Sequence, residues 1–178
     1  MKKWDFEECV KHVLISEGVY SDDVHDHGGA TKFGITIGVL TNYRQHEVTK
    51  ADVQKLSLNE AKDIYKKFYW DAMKLDLIAS DARALLLFDQ GVNRGIGTAI
   101  KQAQSIASVY DPGIKWDGQN GPMTSAAINK LDKDLFCREY LKSSLNAYAN
   151  ICVKNPTQLV FLRGWMNRVY KLLDVCWV

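Results

Sequence analysis

A glutamate lies where a short helical pattern ends. Apolar residues recur at helical spacing ahead of it, at Phe6, Val10, Val13 and Leu14. Glu17 falls on the same face in the last turn, Asp5 is a suitable N-cap, and Gly18 is a suitable C-terminal cap. An apolar setting and the negative end of a helix dipole both disfavour the charged form of a carboxyl group. Glu17 is therefore a candidate general acid.

The segment after Glu17 contains carboxylates that could serve as its partner. Asp22, Asp23 and Asp26 lie among glycines and threonines, without helical periodicity. Hydrolysis of a glycosidic bond needs a protonated carboxylic acid beside the leaving oxygen, and usually a second carboxylate as base or nucleophile. Spacing alone leaves a plainer alternative open. A glutamate in the last turn of a helix is commonly a solvated residue, and a loop rich in Asp and Gly is commonly only a turn.

The elements around these residues are predicted to be mainly helical. Residues 18–36 predict a long functional loop or a small, irregular β-hairpin. Ser57 and Glu60 match a capping box, which begins a helix that ends near Trp70. Further helices are predicted at about 80–91, 97–109 and 124–150, and from Pro156 onwards. Thr124 is the predicted cap of the third of these, which allows a break near Lys133. The chain should contain about six or seven helices.

Composition limits the classes of function. The 178 residues suffice for one domain or two small packed ones, and a formal net charge of +2 excludes a strongly basic nucleic-acid binder. No secretory signal is evident, and no run reaches the roughly 18 apolar residues that a membrane span needs. Four cysteines without CxxC spacing predict reduced, mostly buried thiols: Cys9, Cys137, Cys152 and Cys176. His25 and His27 flank Asp26, but without an HExxH or Cys/His set we expect no metal.

Two stretches near Glu17 carry a family resemblance. They are Glu17-Gly18-Val19-Tyr20 and Asp26-His27-Gly28-Gly29-Ala30-Thr31-Lys32-Phe33-Gly34-Ile35-Thr36. Together they resemble the signature of glycoside hydrolase family 108, the phage endolysin-type N-acetylmuramidases, some of which are labelled secretion activator proteins. Val19 replaces the second Gly of the family's pattern, and Val24 and Ala30 replace Pro. These departures alter the stiffness of the loop more than its chemistry.

The resemblance implies a lysozyme-like helical fold and a catalytic set. Glu17 would donate a proton to the leaving oxygen of the β-1,4 bond between N-acetylmuramic acid and N-acetylglucosamine, with Asp26 and Thr31 as partners. The arrangement is also similar to the phage-type lysozymes, in which an Asp and a Thr hold the attacking water. That similarity implies that Asp26 and Thr31 position water opposite Glu17 and that the reaction inverts.

Candidate substrate-binding residues follow from the same resemblance. Tyr69-Trp70-Asp71 resembles the family's Y-W-D segment, so Tyr20, Tyr69 and Trp70 could stack on sugars, although core packing is the alternative. From Leu87 onward, Phe88–Gly95 and Asp117–Thr124 resemble the predicted peptidoglycan-binding domain of this family. Asp89 and Asn93 lie four apart, and they either face the cleft or bridge helices. We expect a catalytic lobe at 1–75 and a peptidoglycan-binding lobe at 76–178, packed as one unit.

The expected partner is the glycan strand of peptidoglycan. We expect a monomer that needs no cofactor, binds no nucleic acid and does not insert stably into a membrane. It would be made in the cytoplasm without a signal peptide and reach the wall through a holin, lysis or a secretion system. Three alternatives remain: a lytic transglycosylase, which uses no attacking water, a non-catalytic wall-binding or secretion-accessory protein, and a regulator, against which the near-neutral charge and the absence of a recognition motif count. Asp26 counts against the first, and the intact set of Glu17, Asp26 and Thr31 counts against the second.

Overall fold

The computed structural model describes residues 3–17, 20–21, 30–79 and 81–177, and these residues form a mainly α fold. The α-helices among them are α1 (Phe6–Glu17), α2 (Ile37–Arg44), α3 (Lys50–Gln54), α4 (Leu58–Tyr65), α5 (Ala82–Arg94), α6 (Ile96–Ala107), α7 (Pro122–Lys130), α8 (Lys133–Lys154) and α9 (Leu159–Cys176). A π-helical segment (Lys66–Asp71) continues α4, and short 3-10 turns lie at Leu75–Leu77 and Pro156–Gln158. Strands β1 (Tyr20–Ser21), β2 (Thr31–Lys32) and β3 (Ile35–Thr36) form one antiparallel sheet in that order. The predicted mainly α, lysozyme-like fold with a small hairpin is confirmed.

Two helices in the first third of the chain were missed by the sequence analysis. Thr36 begins α2, where its side-chain oxygen accepts a hydrogen bond from the backbone of Val39 at 3.3 Å. Thr49 and Asp52 begin α3 with a complete capping box. Both helices are short, so neither shows an apolar stripe long enough for periodicity to detect. The prediction of six or seven helices was therefore too low.

The predicted capping box at the start of α4 is only half formed. The Ser57 side chain accepts a hydrogen bond from the backbone of Glu60 at 3.1 Å, as expected. The Glu60 carboxylate instead accepts two hydrogen bonds from Arg44, at 2.8 and 2.9 Å. Those bonds hold the pKa of the Glu60 carboxyl below its ordinary value. Glu60 thus ties α4 to α2 and does not close the cap.

The predicted cap at Thr124 was wrong, whereas the break near Lys133 is confirmed. Helix α7 begins at Pro122, and Thr124 is buried inside it, where its hydroxyl accepts a hydrogen bond from Gln104. Pro at the first helical position needs no hydrogen-bond partner for its nitrogen, which favours the earlier start. The Asp132 carboxylate then caps α8 by accepting a hydrogen bond from the backbone of Leu135 at 2.9 Å.

Helix α5 lies at the centre of a contiguous core. Every residue from Ala82 to Gly91 is buried, and the helix contacts α1, α6, α8 and α9. A helix buried on all faces needs neighbours on all sides. The core accordingly draws on both halves of the chain, from Trp4 near the start to Cys176 near the end.

The four cysteines are buried and free of disulfides, as predicted. Cys137 of α8 and Cys176 of α9 touch each other. A hydrogen bond between these two thiols, together with burial, raises the pKa of Cys137. Cys137 therefore remains a protonated thiol that packs as a small apolar group.

A buried arginine joins the start of α5 to the end of α7. The Arg83 guanidinium donates to the Asp81 carboxylate at 2.6 and 3.0 Å. It also donates to the backbone oxygens of Ile128, Asn129 and Leu131, at 3.0–3.2 Å. The last carbonyls of a helix have no partner within the helix. Arg83 therefore satisfies the end of α7 and neutralises Asp81 at the same time.

Arg83→Met should lower the free energy of unfolding by about 3–5 kcal/mol, because it leaves the Asp81 carboxylate buried without its counter-ion. Urea denaturation followed by circular dichroism measures the change. Arg138→Met, at an exposed arginine of α8, is the control and should stay within about 0.5 kcal/mol of the wild type. Equal stability of the two variants would contradict the assigned role.

Candidate active site

The end of α1 and the start of the sheet are adjacent along the chain. Glu17 is the last residue of α1, and β1 begins at Tyr20. Buried Cys9, Val10 and Val13 hold the helix against the core. The side chains of Glu17 and Tyr20, and all of Asp22, Asp23 and Asp26, lie outside the described residues. The roles predicted for these residues stay predictions.

Thr31 lies in the middle strand of the sheet. It pairs with Ser21 of β1 on one side and with Thr36 of β3 on the other. The Thr36 hydroxyl is engaged by the cap of α2. The Thr31 hydroxyl forms no hydrogen bond within the part of the chain that the structure describes, and the residue is half-buried. Thr31 is therefore available to hold a water molecule or a ligand.

The turn after Thr31 has an unusual backbone. Phe33 and Gly34 connect β2 to β3 with φ angles of 53° and 75°. Two successive positive φ angles give a turn whose twist matches that of the flanking strands, but an aromatic residue rarely adopts one. The buried Tyr65 hydroxyl donates to the Phe33 carbonyl at 2.8 Å, and the Lys32 ammonium donates to the Gln54 carbonyl at 2.7 Å. These two bonds fix the hairpin to α4 and α3.

Tyr65→Phe should lower the free energy of unfolding by about 1–2 kcal/mol, because the Phe33 carbonyl loses a buried donor. Hydrogen exchange should show faster exchange of the β2 and β3 amides. Tyr43→Phe is the matched control, since the Tyr43 hydroxyl makes no hydrogen bond within the described residues. Unchanged stability and exchange in Tyr65→Phe would show that the turn does not need this bond.

The aromatic candidates differ in accessibility. Trp70 is only 3% exposed, and its indole N–H donates to Asp76 at 2.8 Å. Its ring meets Phe6 and Phe88 edge-on, which favours the core-packing alternative over sugar stacking. Tyr69 is half-buried beside Tyr65, with ring centroids 5.6 Å apart, and retains some exposed surface. Both lie in the π-helical segment, a distortion that often occurs at functional sites.

The two polar candidates in α5 also differ from each other. Asp89 has no exposed surface, and its carboxylate accepts a hydrogen bond from Arg168 of α9 at 2.8 Å. That geometry favours the alternative in which Asp89 bridges helices. Asn93 accepts a hydrogen bond from the Tyr148 hydroxyl at 2.7 Å but is exposed. Asn93 therefore remains reachable by a ligand.

The glycine-rich loop before α7 is held by the protein itself. The Asp117 carboxylate accepts hydrogen bonds from the Gln104 side chain and the Gln119 backbone at 2.7 and 2.8 Å, which lower its pKa. Gly118 has a φ of 80°, and a Cβ there would lie 3.1 Å from the Gly97 carbonyl. The buried Asn120 side chain donates to the Met73 carbonyl at 2.9 Å. These contacts hold the loop as a rigid turn in front of α7.

Two further observations concern metals and membranes. The described residues contain no group of three His, Cys, Asp or Glu side chains that is arranged to hold a metal ion. None of the described helices is both long and apolar enough to cross a membrane.

Comparisons with known proteins identify the same two segments that the motifs indicate. Residues 10–95 match the family model Glycosyl hydrolase 108, and residues 98–170 match the Predicted Peptidoglycan domain. The fold is similar to the solved structure of Brucella abortus SagA, with a TM-score of 0.81 and 30% identity over 96% of this chain and 92% of that chain. No curated protein matches the chain. The first family match ends at residue 95, just after α5, and the second begins at residue 98 in the first turn of α6, whereas the lobe boundary expected from the sequence lies at residues 75 and 76.

Proposed function

The chain belongs to the glycosyl hydrolase 108 family, and we propose that this peptidoglycan hydrolase is an N-acetylmuramidase. It cleaves the β-1,4 bond between N-acetylmuramic acid and N-acetylglucosamine. The observation that carries the proposal is the position of Glu17. It ends α1 within the matched segment, and the sheet that contains Thr31 begins three residues later at Tyr20. An acid and a water-binding hydroxyl are thereby supplied by adjacent elements.

Glu17 is the general acid in this proposal. Glu17 follows the buried Val13 by four residues, which is one helical repeat along the same face of α1, and the helix ends there with the negative end of its dipole. Both effects favour the protonated carboxyl group that a leaving glycosidic oxygen requires. No cofactor enters the reaction.

Asp26 and Thr31 align the attacking water. Support comes from the contrast between the two threonines that face each other across β2 and β3. Thr36 is committed to the cap of α2, and Thr31 keeps its hydroxyl available. Attack by water on the face opposite the acid inverts the anomeric centre.

Glu17→Gln should lower kcat on purified sacculi by about 10²–10⁴-fold, since it removes the transferable proton and keeps the size of the side chain. Glu47→Gln, at an exposed glutamate, is the control. Mass spectrometry of the released muropeptides should show reducing N-acetylmuramic acid ends. Undiminished activity of Glu17→Gln would refute the assignment. Anhydromuramic ends would identify a lytic transglycosylase, and the absence of any wild-type products would indicate a binding protein.

Thr31→Val should lower kcat by about 10-fold or more at nearly unchanged stability, because only the water-holding hydroxyl is lost. Thr36→Val should show the reverse pattern, with a larger effect on stability than on kcat. It should cost about 1 kcal/mol of unfolding free energy through loss of the α2 cap, with a smaller effect on kcat.

Proton NMR of the first-formed product, in wild type and Asp26→Asn, reads the anomeric configuration. A retained anomer in the wild type would contradict the water-aligning role of Asp26 and Thr31.

A further inference from the structure

A groove crosses the far end of α5, where the two family matches meet. It consists of two adjoining clefts of about 290 and 300 Å³ that share Asn93 and Trp165. Arg94 also lines the first cleft, and Gly164 and Lys171 line the second. Asn93 and Arg94 end α5, whereas the other three residues belong to α9. We call it the α5–α9 groove, and both matched segments contribute to it.

Among the described residues, the lining of the groove contains positively charged side chains and no carboxylate. Its cationic side chains are Arg94, Arg168 and Lys171. Arg168 is paired with the buried Asp89. Arg94 and Lys171 form no ion pair within the described residues, and the acceptors of Arg94 are the neutral amide oxygens of Gln90 and Gln102. The groove thus has two uncompensated charges in a chain whose net charge is only +2.

The Arg94 side chain in the lining of the groove is held in position by neighbouring residues. The Arg94 guanidinium lies 5.4 Å from the centroid of the Tyr148 ring, and Nη1 is its only terminal nitrogen that donates to oxygens of the described residues. Within the described part of the chain, its Nε and Nη2 donate to no acceptor, and neither do the Trp165 indole N–H and the Asn93 amide. A fixed guanidinium with two open donors matches the geometry of a carboxylate.

Gly164 leaves open space at the wall of the second cleft. It lies inside α9, where glycine is less favourable than alanine. A Cβ built at this position meets no atom within 4 Å, so nothing in the described fold excludes a side chain there. Glycine is used where a ligand must approach the backbone closely. The space that Gly164 leaves open belongs to the groove.

The ligand should carry carboxylates, and it does not need to stack on an aromatic ring of the groove. The Trp165 ring lies parallel to Tyr148, with centroids 5.0 Å apart, and also meets Phe161 at 6.0 Å. It is therefore engaged by other aromatic rings and is not presented as a platform for a sugar. In peptidoglycan the repeating sugars are uncharged once the lactyl group is joined to peptide, and the carboxylates belong to the peptide stems.

We propose that the α5–α9 groove binds the carboxylate-bearing peptide stems of peptidoglycan, with Arg94 as the anchor. The identity of the ligand rests on the proposed function, whereas its anionic chemistry rests on the groove. Binding of a stem would hold the wall polymer to the protein while the glycan strand occupies the active site.

The test uses the full chain and a soluble stem peptide, L-alanyl-γ-D-glutamyl-meso-diaminopimelate, titrated by ¹⁵N NMR. Saturable binding should shift the Trp165 indole N–H signal, which Trp165→Phe identifies. The same peptide with its carboxylates converted to amides should bind at least about tenfold more weakly, as should the unmodified peptide to Arg94→Gln. Arg163→Gln, at an exposed arginine of α9 outside the groove, should bind like the wild type.

A pair of substitutions at Gly164 keeps the test independent of Arg94's contribution to folding. Gly164→Glu and Gly164→Gln add side chains of nearly equal size where the protein leaves space. If the groove binds carboxylates, Glu should weaken binding at least about tenfold more than Gln. Equal binding by these two variants, equal binding of the peptide and its amide, or no shift of Trp165 at all would overturn the proposal.

Peptide binding is separable from catalysis. Glu17→Gln should keep wild-type affinity for the peptide while losing hydrolysis. If the wild-type protein binds the peptide but releases no muropeptides, the proposed muramidase activity is refuted. The proposal that the groove binds an anionic ligand is then still supported. A protein that cleaves sacculi without binding the peptide would refute the groove alone.

Discussion

The complete burial of α5 imposes its geometry on most of the molecule. A helix that is buried from Ala82 to Gly91 must be enclosed on every side, and α1, α6, α8 and α9 provide that enclosure. The helix that ends the first family match therefore also packs against α6, α8 and α9, which belong largely to the second. The two matched segments share one core and are not separate bodies joined by a linker.

The burial of α5 also determines which of its polar residues need a partner inside the protein and which can contact a ligand. A carboxylate as deeply buried as that of Asp89 is tolerated only with a partner, and Arg168 supplies one from α9. Arg83 performs the equivalent task at the start of the helix by pairing with Asp81. Only where α5 emerges at Asn93 and Arg94 do its polar groups become available to a ligand. The α5–α9 groove thus arises where the central helix leaves the core.

The sheet beside α1 is stabilised from outside. Strands of two residues cannot sustain a sheet without support. The hairpin that contains Thr31 relies on the Tyr65 hydroxyl at its turn and on Lys32 along its edge. The position of a proposed catalytic hydroxyl is thereby set by the packing of α3 and α4. Such external support permits an aromatic residue at a positive φ angle in the turn.

The sequence by itself predicted the features that depend on residues close together along the chain. Periodicity and capping located α1 with Glu17 at its end and the break before α8, and Pro156 begins the 3-10 turn that leads into the last helix. Tertiary contacts decided the partners of Glu60, the burial of Trp70 and the pairing of Asp89. Asp89 and Arg168 are separated by 79 positions, so no local pattern could connect them. The groove between α5 and α9 appears only after the chain has folded, because it is a space between elements.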